Sequence, residues 1–241
     1  MNSRGGIERC LSFINCQLRN GKGWNRNKDK GLIRVVTISR QAGCGASTVA
    51  QRLAERLEEH AKEHEPPWTV FDKNLVGKVL EEHKLPRRLE KFMPENRISE
   101  IQDTLDELFG LHPSSWILVR QTAETILHLA NVGNVIIIGR GANIITGMMD
   151  SALHVRLVAP LGERVQHIQE RQRLSPEAAL EFARSQDEAR RRYLRKYYQS
   201  DINDPLLYHL VINTHLIDYE RAASLIGDAL IGKESLTKVR M

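Results

Sequence analysis

Apolar positions along this chain follow two rhythms. Val35-Val36-Thr37-Ile38 is a β-branched run, the pattern of a strand buried in a parallel sheet. Behind it, Val49, Leu53 and Leu57 recur every four residues with polar positions between them, which predicts an amphipathic helix with one core-facing stripe. The alternation continues downstream. Trp68-Thr69-Val70-Phe71 predicts a second strand ending at Asp72, and Val135-Ile136-Ile137-Ile138 a third, buried on both faces and ending in Gly139. Leu153 to Ala159 and Tyr208 to Asn213 predict the fourth and fifth. The stretch between strands two and three carries helical stripes: Leu75, Val76 and Leu80, then Ile98, Ile101, Leu105, Leu108 and Phe109, then Trp116 to Ala130, which Ser114-Ser115 can cap. Pro86, Pro94 and Pro113 punctuate them. An arginine-dense helical stretch, Glu163 to Tyr198, joins strands four and five, and a last helix spans Tyr219 to Ile231. Five short strands with helical crossovers predict a three-layer α/β fold around a five-stranded parallel sheet, whose ligands sit at the strands' C-terminal ends.

Ahead of this domain the pattern changes. Ile7, Leu11, Ile14 and Leu18 share one helical face, beside Cys10, and predict a short helix docked on the domain or on a second copy of it. Residues 20–31, rich in Gly, Asn and Lys/Arg, read as a basic linker. The expected organisation is a basic extension over residues 1–31, a domain over 32–233 and a tail over 234–241. Residues 1–40 hold nine Lys/Arg against Glu8 and Asp29, a charge of +7 within a chain whose total is +5. Such an arm could meet nucleic acid or an anionic surface; a solvated tail is the plainer reading, and no nucleic-acid signature accompanies it. The chain is 41% hydrophobic and 27% charged, and no apolar run approaches the roughly 18 residues that span a bilayer. No secretory h-region is evident, and Cys10, Cys16 and Cys44 have neither zinc spacing nor the even count of a disulfide scaffold, so a reducing, cytoplasmic setting is expected without a membrane.

The chemistry concentrates between the first strand and its helix, at Ser39-Arg40-Gln41-Ala42-Gly43-Cys44-Gly45-Ala46-Ser47-Thr48. Strand, glycine turn and helix is the context in which backbone N–H groups hold a phosphate. Against G-x-x-x-x-G-K-[ST] the match is partial: Arg40 stands at the first glycine, Gly45 matches the second, Ala46 replaces the lysine and Ser47 fits the hydroxyl position. An ordinary glycine-rich turn is the competing reading. Four other features fall at strand ends: Asp72, Gly139-Arg140-Gly141, Ala159-Pro160 and Asn213-Thr214. An acid and an arginine gathered beside a glycine loop mark that rim as the expected active site.

Taken together, Thr37-Ile38-Ser39-Arg40-Gln41 with Gly43-Cys44-Gly45, Phe71-Asp72-Lys73, Ile138 to Asn143, Ala159-Pro160-Leu161 through Arg164, Asp187-x-x-Arg190-x-x-Tyr193 and Tyr208 to Thr214 resemble the cytidylate kinase-like family, a branch of the P-loop nucleoside monophosphate kinases. The resemblance runs from about residue 33 to 231. It implies a P-loop NTPase core, a helical insert for the acceptor nucleotide over about 73–130, and an arginine-bearing lid over about 164–198. The reaction implied is transfer of the ATP γ-phosphoryl to CMP or dCMP with Mg²⁺.

Site roles follow from the resemblance and the residue chemistry together. Residues Gly43, Cys44, Gly45, Ala46, Ser47 and Thr48 are expected to cradle the ATP phosphates, with Ser47 and Asp72 as candidate Mg²⁺ ligands. Cys44, near a helix N-terminus, is either a reactive thiol or a small filler. Arg40 is the cation nearest the loop and a candidate for part of the missing lysine's role; an ion pair with Asp72 is the alternative. In true cytidylate kinases the equivalent of Arg140 contributes to acceptor binding, and the matching D-x-x-R, here Asp187 and Arg190, contacts the acceptor's ribose and the phosphates. Its structural alternative is an exposed i,i+3 ion pair. Arg164, Arg171, Arg184 and Arg191 are lid candidates. In true cytidylate kinases an aspartate precedes the glycine; here Ile138 stands in that place. With lysine and aspartate both gone, a non-catalytic nucleotide-binding protein is the alternative function. Oligomerisation through the N-terminal helix is a further expectation.

Overall fold

Five parallel strands in the order β2-β3-β1-β4-β5 form one sheet, in a computed structural model that describes residues 34–61, 67–72 and 117–239. The strands are β1 (Val35–Arg40), β2 (Thr69–Phe71), β3 (Val135–Ile138), β4 (Ala152–Val158) and β5 (Leu210–Asn213). The helices are α1 (Ala46–Glu59), α2 (Ile117–Val132), α3 (Ala142–Ile145), α4 (Leu161–Gln172), α5 (Pro176–Tyr198) and α6 (Tyr219–Val239). The expected N-terminal helix, the basic linker and the helical stripes over 73–116 lie outside the described residues, and with them the expected dimer contact.

The alternation of side chains along β1 divides the core in two. Val36 and Ile38 face α1 and α6, joining Val49, Leu53, Leu57 and Ile226. Val35 faces the other way, with Val135, Ile137 and Ala152, against α2. The helix over Ile117–Val132, read from the sequence as the end of the acceptor insert, places Ala123, Ile126, Leu129 and Ala130 in this core. It is a structural layer of the sheet; the apolar stripe that marked it is a packing stripe.

Three further differences have local causes. The arginine-dense stretch is two helices, because Ser175 caps α5 by accepting from Ala178 N–H at 3.3 Å with Pro176 in the first turn, while Arg173 ends α4 in the left-handed region. The last helix continues through Val239, so the expected tail is mostly helical. A one-turn helix, α3, follows Gly139-Arg140-Gly141, too short to leave a periodic trace in sequence.

Candidate functional site

The parallel arrangement brings the C-terminal ends of β1, β3 and β4 side by side, in register through Ile38↔Ile138 and Ile38↔Val155. The loop after β1 therefore lies between the loops after its two neighbours. Gly45, at φ 71°, caps α1 without a side-chain hydrogen bond, and the first helical N–H groups with backbone acceptors are those of Thr48 and Val49, both to Gly45 O. Among the described residues, the N–H groups of 43 to 47 form no backbone hydrogen bond. A row of free donors at a helix N-terminus fits a phosphate chain.

The protein holds this loop from outside. Gly43 O accepts from His167 Nδ1 at 2.7 Å, and Tyr219 Oη lies 3.1 Å from the same nitrogen. The Tyr219 ring occupies the space a Cβ at Gly45 would need, and Arg164 O lies 2.5 Å from where one at Gly43 would sit. Asp187 accepts from Ala42 N at 2.7 Å, Arg164 Nη1 at 2.7 Å and Arg190 Nη1 at 3.1 Å. Cys44 is 1% exposed, and burial pushes its thiol up to about 11. The thiol is a packed filler, and the reactive reading fails for lack of any access or stabilised thiolate.

Arg40 leaves the loop in the opposite direction. Its guanidinium lies over Gly139, where any Cβ would collide with Nη1, so it points to the end of β3. Desolvation, then the Arg190 and Arg140 charges, lower its pKa to about 10; Asp72 and Asp187 oppose this. Among the described residues it makes no hydrogen bond or ion pair. Asp72, exposed at the end of β2 with β3 between, makes no contact ion pair with Arg40, yet its charge acts on Arg40 more strongly than that of Asp187. Arg140 follows with φ 59°, a strained conformation for a residue with a Cβ. Its Nε is buried without a partner, as is Nδ2 of Asn143, itself 7% exposed.

Two cavities flank the Arg40–Arg190 pair. One of about 190 Å³ lies between Gly139–Asn143 and α5, with Tyr193 on its wall. The other, about 350 Å³, is lined by Arg156, Arg164, Arg184 and Arg191 with Asp187 and Glu188. Arg156 was not anticipated: it is 5% exposed on β4, donating to Ser39 Oγ and Asn203 Oδ1, both at 2.9 Å. His and Arg alternating inside the apolar run Ala152–Val158 was the available signal. Asn143 left none.

Arg40, Arg140, Asp187 and Arg190 are thus brought together, with the exposed Asp72 within electrostatic reach of Arg40, while Ser47 is exposed on α1. The D-x-x-R pair is bonded as i,i+3 spacing suggests, but partly buried and joined to Arg164. Arg164 is 6% exposed with its donors on Ala159 O, Ala42 O and Asp187. Arg184 remains on a cavity wall, and Arg191 pairs with Glu188 at 2.7 Å. No cluster of three His, Cys, Asp or Glu that could hold a metal occurs among the described residues. No helix among them is long and apolar enough to cross a membrane.

A glycine loop between β1 and α1, in a 2-3-1-4-5 parallel sheet with arginines on its rim, defines the P-loop kinase fold. Residues 35–216 match the sequence pattern of the cytidylate kinase-like family, and the chain belongs to that family. It is 38% identical over 103 residues to a cytidylate kinase of Methanothrix thermoacetophila, covering 43% of this chain and 58% of that one. A cytidylate kinase of Pyrococcus horikoshii is 32% identical over 121 residues, 50% of this chain and 60% of its own. A uronate isomerase of Corynebacterium glutamicum is 30% identical over 119 residues, 49% of this chain but 23% of that protein. The chain therefore spans three-fifths or less of the curated relatives it matches. Among solved structures, an uncharacterized protein from Eubacterium ventriosum superposes with a TM-score of 0.65 at 18% identity, covering 83% of this chain and 98% of that one, a likeness of fold.

Proposed function

We propose that the protein is a nucleoside monophosphate kinase that transfers the γ-phosphoryl of ATP to CMP, dCMP or a related acceptor. The observation that carries this reading is the convergence of Arg40, Arg140 and Arg190 on one cavity, beside a glycine loop whose N–H groups are free. Arg40 is repelled by both Arg190 and Arg140, Arg40 and Arg190 are desolvated, and Arg140 sits on a strained backbone, which is costly for a scaffold alone. An anion between them relieves that cost.

In this reading the loop N–H groups of 43 to 47 hold the donor phosphates. Arg140 and Arg190 orient the acceptor phosphate. Arg40, crossing from the loop to Gly139, sits between donor and acceptor and neutralises charge on the group in transit, so it acts from the acceptor side and does not restore the lysine's position. The Ser47 hydroxyl, exposed in the first turn of α1, fits as one protein ligand of an Mg²⁺ ion that arrives with the nucleotide; Asp72 is the second candidate. The ion would supply charge neutralisation on the phosphates. A cytoplasmic setting and a small-molecule acceptor complete the proposal.

Ala46 and Ile138 favour a second reading, a nucleotide-binding protein without turnover, since they stand where the P-loop motif has a lysine and true cytidylate kinases an aspartate. Incubation with ATP, Mg²⁺ and a panel of nucleoside monophosphates separates the two. ADP formation with CMP or dCMP is expected; ATP binding with no turnover on any acceptor would favour the second.

A further inference from the structure

The contacts of Ala42 point to a device that family membership does not supply. Its N–H donates to Asp187 Oδ1 at 2.7 Å, and its carbonyl accepts from Arg164 Nη1 at 3.0 Å. The same Arg164 nitrogen donates to Asp187 Oδ2 at 2.7 Å. One ion pair, built from α4 and α5, therefore holds residue 42 by both of its backbone polar groups. The two side chains are only 7% and 20% exposed, so the bonds form where water competes weakly. Arg164 Nε is fixed on Ala159 O at 3.0 Å, which orients the guanidinium plane. Next along the loop, His167 holds Gly43 O.

Asp187 has little capacity left for anything else. Oδ1 already takes Ala42 N–H and Arg190, and Oδ2 takes Arg164. To accept from an acceptor's ribose hydroxyls, as the resemblance implies, it would have to give up bonds that shape the loop. The loop in turn lacks the lysine that its motif would carry, and its backbone at Ala42 and Gly43 is held by side chains of α4 and α5.

We propose that the Arg164–Asp187 pair is a clamp on Ala42 that holds the glycine loop open to phosphate, and that Asp187 acts on the donor nucleotide. Both are positioning residues: they act through the loop backbone. The kinetic part of this inference rests on the kinase reading; the structural part does not.

The test uses the full chain and the variants Asp187→Ala, Asp187→Asn, Arg164→Ala and the double alanine variant. Amide hydrogen exchange without ligand is expected to show Ala42 protected in the wild type and exchanging about 10-fold faster or more in Asp187→Ala. Equilibrium affinity for ATP is expected to fall roughly 10- to 100-fold, with the double variant no worse than the poorer single one, as for two residues acting as a unit. Asp187→Asn, which keeps an acceptor for Ala42 but no charge for Arg164, should fall between, and serves if an alanine variant fails to fold. Under turnover, KM for ATP rises and KM for CMP stays within about twofold. An increase confined to the acceptor KM, or wild-type protection at Ala42 that survives Asp187→Ala, overturns the clamp. If no acceptor is turned over, the kinase reading falls while exchange and ATP binding still decide the clamp; if ATP does not bind, exchange decides it.

Discussion

The two sides of the rim are built on opposite principles. On the loop side, the carbonyls of Ala42 and Gly43 and the N–H of Ala42 are all engaged by side chains from α4 and α5. Across Arg40, on the side of Gly139 to Asn143, polar atoms are left over: Arg140 Nε and Asn143 Nδ2 are buried without partners, and Arg40 lies desolvated between like charges. On the loop side the polar groups of Ala42 and the Gly43 carbonyl are tied down and the N–H groups of 43 to 47 stay free, so it is a shaped receptacle. A surface with orphaned donors and crowded positive charge is a site whose missing partner is an anion. The difference assigns shape to one half of the rim and charge to the other.

The sharpest way to break that division is Arg40→Ala. If the charge half governs phosphoryl transfer, turnover falls about 10³-fold, within the range that a charge on the transferring group contributes, while ATP affinity changes only a few-fold. Unchanged turnover, or a loss confined to ATP binding, would erase the distinction. Gly139→Ala tests the same cation without touching it. The new Cβ meets the Arg40 guanidinium at a backbone of φ 80°, so steady-state kinetics should lose roughly 10- to 100-fold and thermal unfolding about 1–2 kcal/mol.

A smaller effect has the opposite sign. Because burial and like charges lower the Arg40 pKa to about 10, its charged form is less favourable in the folded state than in the unfolded one, and it costs stability at neutral pH. Arg40→Met should therefore raise ligand-free stability by about 1–2 kcal/mol, a few degrees in Tm, and should reduce the stabilisation that inorganic phosphate gives the wild type. A destabilised Arg40→Met variant with an intact phosphate response would contradict it.

The weakest test lies within the loop half. Cys44 is raised to about 11 from the 9.0 of an unperturbed thiol, so the folded state binds its proton more tightly than the unfolded state does. Its contribution is complete below about pH 9 and is lost as pH rises towards 11, by up to about 2 kcal/mol. Denaturant titrations at pH 8 to 11 should show a steeper decline in the wild type than in Cys44→Ala, and native alkylation below pH 9 should be slow. Rapid alkylation at neutral pH would show the loop to be open where the structure shows it packed.

How far the sequence discloses this arrangement depends on the range of the interaction concerned. β-branched runs and four-residue stripes are local, and they led directly to the five strands, their parallel sheet and the rim on which Arg40 and Arg140 lie. The clamp is not local. Ala42 meets Asp187 across 145 positions and Arg164 across 122, and nothing in the spacing of those residues distinguishes an arginine that holds a carbonyl from one that faces solvent. Asp187 and Arg190 show the same limit from the other side: their i,i+3 pairing was readable, but their burial beneath a third partner was not. The amphipathic stripe of Ile117–Val132 predicts a helix correctly and is silent about which layer it joins.

Ala42 has one more consequence. Besides being held by its polar groups, it is 4% exposed and packs with Ile168, Ala179 and Ala183, the small apolar seam that joins α4 to α5. The glycine loop and the helical hairpin thus share a keystone. Swinging the hairpin away as a flap would tear that seam and wet it. In the kinase reading, the openings on either side of Arg190 are routes for ligands that leave the seam intact.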